Sequence, residues 1–359
     1  MKRYNRSWYL TLLLTAGLVL ASCAPAATAL PTDTPIPPAA TAASTVAATS
    51  TVAPATMTTV PATATQALAT DTAIPASATP AAITLTDDLS RSVTLAGPAQ
   101  HIVSLAPSNT EILYALGAGA ALVGRDDYSD FPPEATQVPS IGNEYPHVNA
   151  ETIVALHPDL VLAAGVTSPE DIAALTKLGL TVYATGSAAS LDDIYRDIQS
   201  LGTLVGKAEA AKTLVDSMRA RVAAVQTKVA AASAHPIVFY ELDATDPAKP
   251  WTAGPGSFVD QLLTLAGGTN AGNIAKDQYA QLSLEQLVSE NPDIIVLGSA
   301  NFGGQTPALV AARPGWQDIK AVKNHTVYTF DDNLVSRPGP RVADGLEKLA
   351  ALIHPEDFK

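Results

Sequence analysis

The nine residues HPDLVLAAG at 157–165 return as NPDIIVLGS at 291–299, and in each copy a glutamate, Glu151 or Glu285, stands seven residues before the proline. Each copy reads as the end of an amphipathic helix halted at the residue before proline. A turn carrying Asp159 or Asp293 follows, and then a strand apolar on both faces, suited to a sheet covered on both sides. The segments TVYAT at 181–185 and TVYTF at 326–330 come next in the same order. Chance recurrence of one helix-turn-strand idiom would not keep these features in register. The chain is therefore expected to build two α/β lobes of like construction, each around a parallel sheet.

The intervening residues alternate short apolar runs with helical periods, as helices covering a parallel sheet require. A hairpin, ITLTDDLSRSVTL, opens the first lobe, and HIVSL reads as a strand. Helices are expected to begin at the capping boxes Ser108-x-x-Glu111, Ser168-x-x-Asp171, Ser257-x-x-Asp260 and Ser283-x-x-Gln286. Between the lobes, residues 190–233 place Ile194, Ile198, Leu201 and Val205 on one helical face, then Leu214, Met218, Val222, Val225 and Val229 on one face. Neither Gly nor Pro interrupts 207–233, which as one helix would be about 40 Å long. The expected division is thus a first lobe at 83–189, a connecting helical segment at 190–233 and a second lobe at 234–359. PIVFYEL reads as the first strand of the second lobe, and DATDPAKPWTAGPG as a loop.

The first 82 residues have another character. Lys2, Arg3 and Arg6 precede an apolar run from Trp8 to Leu20, too short for a stable membrane span and of export-signal size. The run ends in Leu20-Ala21-Ser22-Cys23, which resembles the bacterial lipobox, where the cysteine is lipidated and residues before it are removed. A leader ending near an unrelated cysteine, or an uncleaved anchor helix, are the alternatives. Cys23 is the single cysteine in the chain, so no intrachain disulfide can form. From Ala24 to Ala82 the composition is nearly all Ala, Thr, Pro and Ser, which cannot bury enough surface to order itself. As a flexible coil this tether would span roughly 40 Å. Loss of the leader's three cations takes the net charge from -13 to -16, an acidic balance with no footprint for nucleic acid.

Catalytic constellations are scarce. The six histidines have no pair closer than ten residues, so no zinc spacing of the HxH or HExxH kind exists. LGTLVGK at 201–207 falls one residue short of a phosphate loop, LGAGAALVG lacks the third glycine of a dinucleotide fingerprint, and no G-x-S-x-G elbow occurs. No catalytic residue and no resident metal or cofactor is expected. The loops that should follow the strands are instead rich in aromatic and charged residues. RDDYSDFPPEA carries Tyr128 and Phe131, NEYPH carries Tyr145, ELDATDPAKPW carries Glu241, Asp243 and Trp251, and DDNLVSRPGPR carries Asp332 and Arg337. Aromatic faces with a few polar groups converging between two lobes describe a binding cleft. Singly, Tyr128 and Phe131 could pack under their own loop, and Arg337 could merely pair with Asp332; jointly they favour the cleft.

HIVSLAPSNTEILYALGAG, LVGRDDYSDFPPEA, LHPDLVLA, SLDDI, WTAGPGSF, LAGG, NPDIIVLG and SRPGPR together resemble the iron-complex and cobalamin class of ABC-transporter substrate-binding proteins, from about residue 83 to the end. The resemblance implies a class III periplasmic binding protein: two Rossmann-like α/β lobes joined by a single long helix, with a ligand between them. It implies an extracytoplasmic monomer, tethered to the membrane through lipid on Cys23, that delivers its ligand to an ABC permease and ATPase. Ligand-binding positions carry over to Tyr128, Tyr145, Glu241, Leu242 and Arg337, with Trp251 and Asp332 placed beside them. Permease docking through one surface acid per lobe carries over to Glu111. In the second lobe the matching place is Gly256, with Asp260 the nearest acid, and there a capping role is the stronger expectation.

Acids outnumber cations in the candidate loops, where only Arg125, Lys249, Arg337 and Arg341 are basic. That balance favours a neutral or cationic chelate stacked on aromatic rings, such as a corrinoid, over a ferric siderophore or haem. The rival reading is a tethered α/β enzyme acting on a small molecule in the same cleft, which needs a catalytic pair across the lobes. A third, an interaction module, requires the cleft aromatics to be packed away.

Overall fold

The computed structural model describes residues 81–358. The expected leader, Cys23 and most of the tether lie outside them. The hairpin of β1 (Ile83–Thr86) and β2 (Ser92–Leu95) comes first. The first sheet holds β3 (Ile102–Ser104), β4 (Leu122–Arg125), β5 (Leu160–Ala163) and β6 (Val182–Ala184), all parallel in the order β4-β3-β5-β6. Helices α1 (Pro107–Ala115), α2 (Ala150–Ala155) and α3 (Pro169–Lys177) alternate with these strands.

The expected connecting segment contains two helices rather than one, α4 (Leu191–Leu204) and α5 (Ala208–Val229). The break falls at Gly206, whose φ of 68° is left-handed and suits a residue without Cβ. With 22 residues α5 is about 33 Å long and stops at Val229, short of the expected Ser233. Ile198 and Leu201 of α4 and Val215, Met218 and Val225 of α5 share one apolar cluster with Leu160 of β5 and Leu346 of the final helix. That continuous cluster makes the segment a packed spine for both sheets.

The second half runs through β7 (Ile237–Asp243), β8 (Trp251–Ala253), α6 (Phe258–Leu265), β9 (Thr269–Asn270), β10 (Tyr279–Gln281), α7 (Leu284–Glu290) and β11 (Ile294–Leu297). Then come α8 (Ala300–Gly303), α9 (Pro307–Ala311), α10 (Lys320–Lys323), β12 (Val327–Thr329), α11 (Asn333–Ser336) and α12 (Val342–Ile353). The sheet order is β10-β8-β7-β11-β12, with β9 pairing the start of β7. Strands β7, β11 and β12 are parallel, whereas β8 runs antiparallel to both β7 and β10. This sheet is mixed where a parallel one was expected. Strands of two or three residues carry too little pattern to register in sequence, and β8 lies inside the segment expected to be a loop.

The repeated stretches occupy equivalent places. His157 and Asn291 both have φ of 47°, ending α2 and α7 in left-handed geometry that Asn and His tolerate better than most residues. Asp159 accepts the backbone N–H groups of Gln100 (2.8 Å) and His101 (3.1 Å), and Asp293 accepts that of Ile237 (2.9 Å). Each aspartate thereby ties off the entry to its neighbouring strand, β3 or β7. Strands β5 and β11 are buried throughout, as their unbroken apolar runs demand.

Candidate functional site

All four parallel strands of the first sheet end on one side, and the loops that follow them line a cleft of about 980 Å³. Its first wall includes Ser108 after β3, Asp126 and Tyr128 after β4, Val166 after β5 and Ser187 after β6. The facing wall takes Leu242 from β7, Tyr279 from β10, Phe258 from α6, Asp332 from the loop after β12 and Arg337 from the end of α11. Ligands in open α/β sheets lie at these carboxyl ends. The volume stands at the upper end of small-molecule sites.

Local hydrogen bonds set the aromatic side chains facing outward. Asp126 accepts the backbone N–H of Tyr128 (2.9 Å) and the hydroxyl of Ser129, and Ser129 joins Thr110 and Ser104 in a buried hydroxyl chain with steps of 2.9 Å. The turn this anchors presents Tyr128 with 62% of its surface exposed. Asn143 accepts the N–H of Tyr145 (3.2 Å), and Tyr145 is 87% exposed. Tyr279, half-exposed on β10, completes three tyrosines on the cleft. On the facing wall, Asp332 accepts from the hydroxyl of the buried Tyr240 (2.7 Å). Burial, reinforced by that carboxylate, pushes the Tyr240 phenol well above its usual range, so it stays a donor.

The first wall is acidic. Burial raises the Asp126 carboxyl above the ordinary range, and it raises Glu144 to about 7, with Asp126 and Asp171 adding to the effect. Glu144 Oε1 accepts from the Thr167 hydroxyl (3.1 Å), while its Oε2 is buried without a partner. Asp171 accepts from Ser168 (2.7 Å) and lies 3.2 Å from Nδ1 of the exposed His147. Among the described residues lining the cleft, Arg337 is the one cation. Its Nη1 donates to Asp130 (2.6 Å) and, at 3.4 Å, to Glu111.

Of the positions expected to bind ligand, Tyr128, Tyr145, Leu242, Asp332 and Arg337 line this one cleft. Glu241 does not. Strand alternation turns it away from its neighbour Leu242 into a fully buried pair with Arg313, with Ser299 donating at 2.8 Å. Trp251 is also absent from the lining. It sits on β8 opposite Asp243 and Gln281, partly exposed.

Glu111 departs from its expected surface place. Helix α1 starts with Pro107 after Ala106, and Ser108 makes no capping bond. The glutamate, freed from the expected box, is 3% exposed and accepts from Arg341 Nε (2.8 Å) and Nη2 (2.5 Å) as well as from Arg337. It cannot meet an external arginine without giving these up. Asp260 is half-buried and accepts from the Gly256 N–H (2.9 Å) and Asn270 Nδ2 (3.0 Å), a structural role at the start of α6. Sequence reading missed Tyr279, in a three-residue strand with no apolar signature. Glu144, beside Tyr145 in NEYPH, counts in sequence only as one of the loop acids and is not marked there as a site residue.

Residues 102–334 match the family described as "Periplasmic binding protein". The "Uncharacterized ABC transporter substrate-binding lipoprotein YvrC" of Bacillus subtilis is 37% identical over 77% of this chain and 87% of its own length. Among solved structures, the "periplasmic Vitamin B12 binding protein BtuF" of Vibrio cholerae aligns with a TM-score of 0.62 and 29% identity over 73% of this chain and 99% of that one. The "Periplasmic heme-binding protein RhuT" of Roseiflexus sp. RS-1 aligns at 0.65 and 27% over 72% and 99%.

Proposed function

The chain belongs to the periplasmic binding protein family, and on that premise we propose that it captures a metal chelate in its cleft and hands it to an ABC importer, with a corrinoid as the favoured ligand. The observation that carries this is the pairing of three exposed tyrosines with a lining whose single cation is already engaged by Asp130 and Glu111. Tyrosine faces suit a large flat ligand. Polyanionic ferric siderophores need clustered cations to offset the loss of water around their charge, and the lining has none to spare. Vitamin B12 and haem, after which these two structural neighbours are named, are both large flat chelates.

Ligand contact is assigned to Tyr128, Tyr145, Tyr279, Leu242 and Asp332, with Glu144 offering an unengaged oxygen. Affinity arises from contacts in the cleft, and ATP hydrolysis belongs to partner subunits. A leader through residue 22, a lipidated Cys23 and a tether to residue 82 would hold the lobes at 83–189 and 234–359 on the outer face of the membrane. More than one acyl chain gives durable attachment.

Corrinoids, haem and ferric chelates all absorb visible light. Titration of the full-length protein in detergent with cobalamin, cobinamide, haem and ferric siderophores should give sub-micromolar binding of a corrinoid, in the order of 10⁻⁷ M or tighter. Failure of all four to bind would remove the ligand assignment. Mass spectrometry of the membrane-extracted chain should show an N-terminus at acylated Cys23, and an unmodified cysteine would remove the anchor.

A further inference from the structure

Four charged side chains from both lobes close on one another beside the cleft. Glu111 on α1 and Asp130 after β4 face Arg337 and Arg341, which follow α11. Glu111 is the hub: its side chain is 2% exposed and takes bonds from both arginines. The Arg341 guanidinium also stands over the Phe131 ring at 4.0 Å, which leaves it little freedom to swing into the cleft. The set sums to zero charge, and Arg337 is the member that reaches the lining.

We propose that Glu111 determines ligand specificity as a positioning residue acting through Arg337: by engaging the guanidinium from behind, it denies the cleft a free positive charge and so excludes chelates bearing carboxylates. An unengaged arginine in the same place would offer paired N–H donors matched to a carboxylate. None of the remaining ionisable groups on the lining, Asp126, Glu144, Asp171, Asp332 and the tyrosines, supplies a positive charge to pair with a carboxylate. This rests on the reading that chelates bind in the cleft.

The test compares haem, with its two propionates, and dicyanocobinamide, which has none, as visible-light probes of the full-length protein. Glu111→Gln should raise haem affinity about 10-fold relative to cobinamide, because one charge-assisted contact becomes available. Asp130→Asn should shift the ratio the same way by about 2-fold, since Asp130 is largely exposed and screened. Adding Arg337→Gln to Glu111→Gln should erase the gain. A structural role alone would lower both affinities and could not produce a gain that depends on Arg337. If Glu111→Gln does not fold, Glu111→Gln with Arg341→Met removes the buried cation it would strand and carries the same expectation. Corrinoid binding with an unmoved haem ratio in the folded variants overturns this inference and leaves the cleft reading standing. So does a gain that survives loss of Arg337. If the wild-type protein binds neither probe, the cleft reading itself fails, and this inference with it.

Discussion

The cleft wall of the first lobe and the core of the second treat acids differently. In the second, Glu241 is fully enclosed and met by Arg313, whose guanidinium lies 4.4 Å from the Trp316 ring centre, and Ser299 completes its hydrogen bonding. In the first, Asp126 and Glu144 have hydroxyl or backbone partners and no ion pair among the described residues, Asp171 has the Ser168 hydroxyl and an exposed histidine, and all three line the cleft. A buried acid whose oxygens are taken up by a cation has none left for a ligand. An acid satisfied by hydroxyls retains acceptor capacity that a ligand's donors can use. The difference separates an acid that builds the fold from acids available to a ligand.

The sharpest way to break this contrast is Glu241→Ala, which strands Arg313 in the interior and should cost about 3–5 kcal/mol. Thermal melting should show a large fall, and a near-normal melting temperature would mean that Glu241 is not structural. Tyr145→Ala should weaken corrinoid binding by about 10-fold or more while leaving the melt unchanged, as expected for an exposed aromatic anchor. Unchanged affinity in titration would remove Tyr145 from the ligand surface.

A smaller effect concerns pH. Glu144 has a folded pKa of about 7 against an ordinary 4.5, so between these values the folded state holds more proton than the unfolded one. Its contribution to stability therefore falls as pH rises from about 4.5 to 7. Asp197 on α4, raised to about 8 by burial and by Asp88, contributes with the same sign. Melting temperatures across this window should decline less steeply in Glu144→Gln, and equal slopes would show that Glu144 ionises normally. The smallest change is expected from Trp251→Ala, which should alter ligand affinity by less than about 2-fold because its ring lies outside the cleft lining. A 10-fold loss in the same titration would return Trp251 to the site.

Much of the frame was legible before any coordinates. The repeat located two equivalent buried strands, and its aspartates proved to anchor the neighbouring strands β3 and β7. The boxes at Ser168 and Ser283 begin helices as expected, and only the second closes reciprocally. Less legible were β8, β9 and β10, whose pairing depends on the edge offered by β7 rather than on their own residues. Gly206 separates one apolar face from the next, and the helix breaks there although no Gly or Pro follows until Pro236. Tyr128 and Tyr145 could be found because they stand in loops beside turn residues, where an aromatic ring has no core to enter.

By itself the sequence determined what local physics controls: the alternation of periods, most helix starts and the equivalence of two halves. Tertiary structure alone decided the partners of the charges. Glu111 reads in sequence as a surface acid or a cap, and becomes the hub of a network because Arg337 and Arg341, more than two hundred residues later, are brought against it. Period and capping are set by neighbours along the chain. A charge's role depends on which opposite charge the fold places within reach and how much water remains between them.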